Sequence, residues 1–225
     1  MSDLCWCGSG KPYEVCHKPI EEKIKAFQKR GCTVPDRDML KTPAQIAGIR
    51  KACEINTAVL DMVAQKIKTG MSTEEVDKLI YDFTVARKAI PATLGFCGFP
   101  KSCCTSVNDQ VCHGIPSKDV ILKSGDIVNV DVSTIYGGYY ADASRMFEIG
   151  RVDKEKKDLV AITKECLNRG VKAAKPWGFV GDIGAAIAEL AHKHGYSVVK
   201  EFGGHGVGVQ FHEDPFICHE GRRNT

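Results

Sequence analysis

The feature that most limits how this chain can fold is the strand-forming stretch 129–147, "NVDVSTIYGGYYADASRMF". Its β-branched and aromatic residues favour extended structure. Gly137 and Gly138 suit a two-residue hairpin turn, because both turn positions need a positive φ. Such a turn pairs Tyr136 with Tyr139. The sequence therefore predicts an antiparallel hairpin whose register is set by its own turn.

The same hairpin carries two aspartates where a core would favour apolar side chains. In the register set by the turn, Ser133 lies opposite Asp142, and alternation places Asp131 on the same face. The two aspartates are then diagonal neighbours, about 7–8 Å apart at the backbone. Converging ionised carboxylates repel each other and resist desolvation, so one must be protonated or a cation must lie between them. A polar face that is simply solvated is the alternative interpretation.

Three histidines near glycines favour the cation. His205 and His212 lie in "EFGGHGVGVQFHEDP", where glycines around His205 allow another group to approach the backbone closely. His113 lies in "NDQVCHGIP", which is typical of a turn. Carboxylates with imidazoles suit a divalent ion such as Mn, Fe, Co or Zn. A set with few histidines and no cysteine argues against a structural zinc site.

Hydrophobic periodicity predicts two similar halves around the hairpin. Helices are expected to begin after Thr42, Ser72 and Asp153. Strands and turns are expected at about 93–150, and strand-like sequence resumes at Ser197. The repeated order of helix, helix and strands predicts an α+β fold with related halves. In the first helix, these residues recur at helical spacing: Ile46, Ile49, Cys53, Leu60, Val63 and Ile67.

The cysteine content restricts the compartment. The 225-residue chain has eleven cysteines, an odd number, and begins without the basic-then-apolar pattern of a signal peptide. No apolar run is long enough to span a membrane. The net charge of +3 is too small to indicate nucleic-acid binding by itself. These features predict a cytoplasmic protein with reduced thiols and at least one metal-binding cluster.

The first eighteen residues supply that cluster. "CWCGSGKPYEVCH" contains Cys5, Cys7, Cys16 and His17, a complete tetrahedral ligand set for one structural zinc. So short a segment has no core of its own, and the metal must fold it. The predicted domains are therefore a zinc knuckle (1–18), a linker or short helix (19–40) and a catalytic domain (41–225).

Three motifs in order resemble the type I methionine aminopeptidases, which are metallopeptidases with the α+β pita-bread fold: "KSCCTSVNDQVCHGIP", "GDIVNVDVSTIYGGYYADASRMF" and "GGHGVGVQFHEDP". Any one of them is weak, but the three at family spacing are specific. The resemblance covers about residues 40–225. It implies a two-metal aminopeptidase that removes the N-terminal methionine of nascent proteins.

The resemblance also implies residue roles. Asp131, Asp142 and His205 would bind two divalent ions (Co, Mn, Fe or Zn), with Asp142 bridging them. His113 would contact the substrate near its first peptide bond, and His212 would donate to the scissile carbonyl or its oxyanion. Three residues fall where the family lines its methionine pocket: Phe96, Cys104 and Phe211.

One departure leaves alternatives open. The family uses five protein ligands, and the last two are glutamates in later strands; neither Glu213 nor Glu220 matches those positions. With three of five ligands, we expect a C-terminal truncation and expect residues 1–225 alone to be inactive or poorly folded. The aminopeptidase interpretation applies to the full-length molecule. The alternatives are a pita-bread binding protein without catalysis and a relative of the proline dipeptidases.

The N-terminal cluster resembles the SEC-C zinc motif, which is appended to varied proteins, including some methionine aminopeptidases. By that analogy the knuckle would be a docking device, towards ribosomes or secretion factors. The family also suggests a monomer, and nothing in the chain indicates a membrane partner.

Overall fold

The computed structural model describes residues 3–225, so Met1 and Ser2 of the predicted knuckle lie outside it. Among the described helices, none is long and apolar enough to cross a membrane. Two single turns of 3-10 helix lie at Arg37–Met39 and Phe96–Gly98. The helices and strands are, in chain order, α1 Tyr13–Cys16, α2 Lys18–Lys29, α3 Pro43–Lys66, α4 Thr73–Ala86, β1 Ile90–Pro91, β2 Cys103–Val107, β3 Ile127–Tyr136, β4 Tyr139–Glu148, α5 Lys154–Ala173, α6 Val180–Lys193, β5 Gly204–Gly206 and β6 Glu213–Ile217.

The predicted helix starts are confirmed by their caps. The Thr42 hydroxyl accepts a hydrogen bond from the Gln45 amide, and Pro43 fills the first helical position, where no backbone donor is needed. Ser72 forms a reciprocal capping box at the start of α4. The Asp153 carboxylate accepts from the Lys156 amide at the start of α5. These local contacts satisfy helix-end donors that would otherwise lack a partner.

The predicted hairpin and its register are also confirmed. In β3 and β4, Tyr136 pairs with Tyr139 and Ser133 pairs with Asp142. Gly137 and Gly138 form the turn, with φ values of 58° and 81°. β3 lies at the centre of a four-stranded antiparallel sheet, with β2 and β4 along its length and the short β1 beside its end.

The main core lies between this sheet and the helix pair α3–α4. Val128, Val130 and Val132 point from β3 into it and are at most 1% exposed. Burying each such side chain contributes about 1.5–3 kcal/mol. Alternation then leaves Asp131 and Ser133 to the opposite face. The core residues contributed by the two helices are Val59, Leu60, Val63, Val76 and Ile80.

Two sequence expectations are wrong in detail. Ile46 is 42% exposed and Cys53 is exposed, because α3 turns a face containing Asn56 towards the sheet, where Thr134 donates a hydrogen bond to the Asn56 side chain. A pattern that counts only apolar residues does not include a buried asparagine. The second strand region begins at Gly204, not at Ser197. Residues 197–203 have no ladder partner among the described residues.

The second helix pair has a smaller core of its own. In this core, Cys166 of α5 packs with Leu190 and Ala191 of α6. Gly170 allows the helices to approach closely, since a Cβ there would lie 3.0 Å from Ile187. The second half of the chain also contains the two-stranded sheet β5–β6. Its sequence places His205 in β5 and His212 immediately before β6.

Candidate metal centre and active site

The two hairpin aspartates and His205 meet on the face of the sheet away from the α3–α4 core. The Ser133 hydroxyl donates a hydrogen bond to Asp142 Oδ1 at 2.9 Å. His205 Nε2 lies 3.4 Å from Asp142 Oδ2, with side-chain exposures of 26% and 19%. Asp131 lies diagonally across the ladder, opposite Ser144. The structure thus brings all three predicted ligands to one place.

The tautomer of His205 explains why a cation fits here. His205 Nδ1 lies 2.8 Å from the Gly206 carbonyl oxygen. A carbonyl can only accept, so Nδ1 carries the proton and, in neutral histidine, Nε2 presents its lone pair to Asp142. Two acceptors facing each other are unfavourable unless a proton or a metal ion lies between them. A backbone carbonyl bound to the other ring nitrogen is a common way to orient a metal-binding histidine.

The raised pKa of Asp131 also favours a cation at this site. Burial, followed by the neighbouring Asp142 carboxylate, raises the pKa of Asp131 to about 7. The same combination of burial and nearby carboxylates raises the pKa of the Cys104 thiol to about 12. The site therefore favours added positive charge and keeps Cys104 a neutral thiol. Two carboxylates and one imidazole form a donor set for a hard or borderline divalent ion.

This electrostatic arrangement predicts a pH-dependent stability for the metal-free protein. Because the folded pKa of Asp131 is raised, the folded state holds a proton that the unfolded state releases above about pH 4. Stability is therefore lost as pH rises towards 7, the folded pKa. We expect the thermal midpoint of the metal-free protein to fall across this interval, and Asp131→Asn to flatten the decline. Calorimetry in chelator at several pH values measures it.

The matched control for that experiment is Asp61→Asn. Asp61 is a half-exposed carboxylate on α3 that pairs with Arg145 of the same hairpin, 2.9 Å away. Its replacement leaves the pH slope as in the wild type. An identical slope in wild type and Asp131→Asn would show that Asp131 is not the group that takes up the proton.

Aromatic and imidazole rings form a second wall beside the carboxylates. The His212 ring lies 4.4 Å from the rings of both His205 and Phe211. Phe96 packs edge-to-face against Phe211 at 4.8 Å, and Tyr140 stacks on Phe211 at 5.9 Å. Burial first, and then the neighbouring His205, lowers the pKa of His212. His212 is thus favoured as a neutral imidazole beside an apolar surface.

The remaining predicted residues border the same region. Cys104 is buried on β2, directly opposite Asp131 in the ladder. His113 is exposed in an irregular loop, with a φ of 56°, and its ring lies 5.5 Å from Phe202. The loop passes close to β2 at Gly114, where a Cβ would meet the Thr105 carbonyl oxygen.

Two neighbours of this region were absent from the sequence expectations. Tyr140 shares its strand face with Asp142, so the alternation of β4 contained the signal that could have identified it. Phe202 lies in a segment without regular structure and reaches His113 only through tertiary packing. No local pattern would have found that contact.

A separate cluster lies in the N-terminal segment. Cys5 Sγ is 3.0 Å from His17 Nδ1, and Cys7 Sγ is 3.7 Å from Cys16 Sγ. Tetrahedral zinc with bonds of about 2.3 Å holds its sulfur ligands about 3.8 Å apart, so this spacing suits the ion. Among the described residues, this is the one group of three or more His, Cys, Asp or Glu side chains whose ligand atoms all lie within 4.8 Å of one another, so the Asp131, Asp142 and His205 group is more open.

Comparisons with known proteins find relatives of both parts of the chain. Residues 47–225 match the model of metallopeptidase family M24, and residues 1–19 match the SEC-C motif. The chain is 42% identical over 221 residues to a methionine aminopeptidase of Chlamydia trachomatis, covering 97% of this chain and 76% of that protein.

Solved structures of methionine aminopeptidases are also similar to this chain. The methionine aminopeptidase of Rickettsia prowazekii is 41% identical with a TM-score of 0.81, over 83% of this chain and 75% of that one. The methionine aminopeptidase of Thermotoga maritima is 36% identical with a TM-score of 0.80, over 82% and 74%. The chain therefore belongs to metallopeptidase family M24, within its methionine aminopeptidases, and carries an SEC-C motif at its N-terminus.

Proposed function

We propose that this protein removes the N-terminal methionine from nascent polypeptides by metal-dependent hydrolysis. The observation that carries the proposal is the meeting of Asp131, Asp142 and His205 beside the ring of His212. Family membership and relatives named as methionine aminopeptidases support it.

The metal ligands in this proposal are Asp131, Asp142 and His205. Divalent ions bound there would supply Lewis-acid polarisation of the scissile carbonyl and lower the pKa of water. Asp142, oriented by the Ser133 hydroxyl at 2.9 Å, would be one of the ligands that hold the ions. The His205 tautomer leaves Nε2 free to bind.

The other polar residues bind and orient the substrate. His212 donates a hydrogen bond towards the scissile carbonyl oxygen, where negative charge develops in the transition state. Its lowered pKa favours a neutral imidazole, which can donate from one ring nitrogen. His113 contacts the substrate near its first peptide bond. Anchoring of the substrate's α-amino group near the metal ligands would restrict cleavage to the terminal residue.

The apolar wall provides the side-chain pocket. Phe96 and Phe211 meet edge-to-face, and Cys104 remains a neutral thiol next to the carboxylates. Polarisable sulfur and aromatic edges favour a thioether side chain. We therefore assign methionine as the residue that these three side chains select.

Release of free amino acids from synthetic peptides tests this function. The full-length protein, treated with chelator and then loaded with Mn or Co, is expected to release methionine from Met-Ala-Ser. It should leave Leu-Ala-Ser intact and should not cleave the dipeptide Met-Pro. Cleavage of Met-Pro in preference to Met-Ala-Ser would indicate a proline dipeptidase, and no metal-dependent release at all would indicate a binding protein.

The N-terminal segment is proposed to bind one structural zinc through Cys5, Cys7, Cys16 and His17 and to dock the enzyme near ribosomes. Its compact ligand geometry supports the zinc site, and the docking role is an analogy with the SEC-C motif. We further propose a cytoplasmic location, since nascent chains and reduced thiols are both found in the cytoplasm. The family resemblance suggests a monomer.

A further inference from the structure

The loop that carries Phe211 and His212 is tied to the segment before α3 by a mostly buried ion pair. Lys41 Nζ lies 2.9 Å from Glu213 Oε2, and the two side chains are 16% and 14% exposed. Lys41 also donates to the backbone carbonyls of Asp38 and Met39, each at 3.2 Å. All three ammonium hydrogens therefore have acceptors, which is the condition under which a buried charge is tolerated.

The second oxygen of Glu213 closes the loop on itself. Glu213 Oε1 accepts a hydrogen bond from the Val209 amide at 3.2 Å. Glu213 also pairs with Gly206 in the ladder between β5 and β6. One carboxylate thus joins the end of the loop, its middle and the chain preceding α3. His212 is the residue immediately before it.

The loop has little room to move as a body. The Gly208 carbonyl accepts from the Tyr140 amide at 2.8 Å. A Cβ at Gly208 would lie 2.5 Å from Ile49 Cδ1 and 3.2 Å from Glu213 Oε1. At its far end, Phe211 is 8% exposed and stacks on Tyr140. The direction of the His212 ring therefore depends on how this loop is closed.

We propose that Glu213, held in place by Lys41, is a positioning residue for His212. The pair fixes the backbone of residues 207–212 so that the imidazole faces the scissile carbonyl. This inference rests on the proposed function, in which His212 stabilises the developing oxyanion. A buried ion pair contributes little net stability compared with apolar residues. Its effect is to select one loop geometry.

A double-mutant cycle in the full-length protein tests the proposal. Glu213→Gln keeps the size of the side chain and an oxygen for the Val209 amide, but it removes the charge that faces Lys41. We expect kcat for methionine release to fall roughly 10-fold with KM changed by less than about 2-fold, because only a transition-state contact is misplaced. In a His212→Ala background the same change should lower kcat by less than about 2-fold.

Additional variants separate positioning from folding. Lys41→Met should reproduce the loss, and Lys41→Arg should restore most of the activity, because it retains the charge. The control is Glu54→Gln, which breaks the exposed Lys51–Glu54 pair of α3 and leaves kcat unchanged. Equal losses from Glu213→Gln with and without His212 would overturn the proposal.

Amide hydrogen exchange of the metal-free protein supplies a readout that does not depend on activity. Exchange at Val209 should rise at least about 10-fold in Glu213→Ala and remain unchanged in Glu54→Gln, because the first variant removes the acceptor of that amide. Unchanged exchange at Val209 would also overturn the proposal. If the wild type releases no methionine, the proposed function fails, and the exchange result alone decides whether Glu213 fixes the loop.

Discussion

Replacing Asp142 with asparagine in the full-length protein is expected to abolish metal-dependent methionine release, with a loss of at least about a thousandfold in kcat. The metal contributes several kcal/mol of transition-state stabilisation, and each 1.36 kcal/mol corresponds to about tenfold in rate. The Asp142→Asn side chain would keep an oxygen for the Ser133 hydroxyl, so the hairpin should remain folded. It would lose the negative charge that lies next to both His205 Nε2 and Asp131.

Two measurements check this result together. Methionine release is assayed with Mn or Co over a range of concentrations, and bound metal is counted after dialysis. Asp61→Asn is the matched control, because it changes a carboxylate that contacts the same hairpin through Arg145 and lies outside the site. If Asp142→Asn retained both activity and metal at wild-type levels, the assignment of the hairpin aspartates as ligands would be wrong.

The second large effect is expected at the N-terminus. Replacing Cys5 and Cys16 with serine should remove about one zinc per chain and unfold the knuckle, because apparent zinc binding free energies in such small units are about 10–16 kcal/mol. Asp131→Asn and Asp142→Asn are included in the background to keep the catalytic site free of metal. Zinc is then counted per chain by elemental analysis.

The unfolding itself can be followed through one tryptophan. The Trp6 ring lies 4.3 Å from His17, and the Arg37 guanidinium lies 4.6 Å from the Trp6 ring. With Trp177→Phe, Trp6 is the remaining tryptophan, and its emission should shift to the red when the two cysteines are removed. The control is Cys32→Ser. About one zinc per chain in the double cysteine variant would contradict the assignment.

The catalytic body should survive this change. Its main core is built from α3, α4 and the four-stranded sheet, and none of the knuckle ligands belongs to it. The link between the two parts lies in α2 and the following turn, where Glu21 pairs with Arg37 at 3.0 Å and Phe27 stacks on Trp177 at 6.2 Å. We therefore expect methionine release by the otherwise wild-type enzyme to fall much less than in Asp142→Asn.

The sequence predicted the parts of the fold that depend on neighbours in the chain. The hairpin register follows from Gly137 and Gly138 alone, because a two-residue turn leaves only one pairing. Helix starts at Thr42 and Ser72 follow from caps formed within the next few residues. The four proposed ligands of the knuckle lie so close together in the chain that a metal site could be predicted from the sequence alone.

The candidate site was predicted less completely, because its parts come from distant segments. The sequence alone placed Asp131 and Asp142 on one strand face, since alternation is a local rule. It could not predict that His205 lies 3.4 Å from Asp142 or which nitrogen of His205 carries the proton. Those facts depend on how the β5–β6 sheet packs beside the hairpin, through contacts such as that between Tyr140 and Gly208.

By itself, then, the sequence determined the hairpin, the helix starts and, through its motifs, the family, and it led to the two proposed ligand sets. Only the tertiary structure decided that Asn56 belongs to the core, that Phe202 lies against His113 and that Lys41 reaches Glu213. The physical reason is the same in each case. A polar side chain becomes a core or positioning residue only when a partner far away in the chain satisfies its hydrogen bonds or charge, and no local pattern specifies that partner.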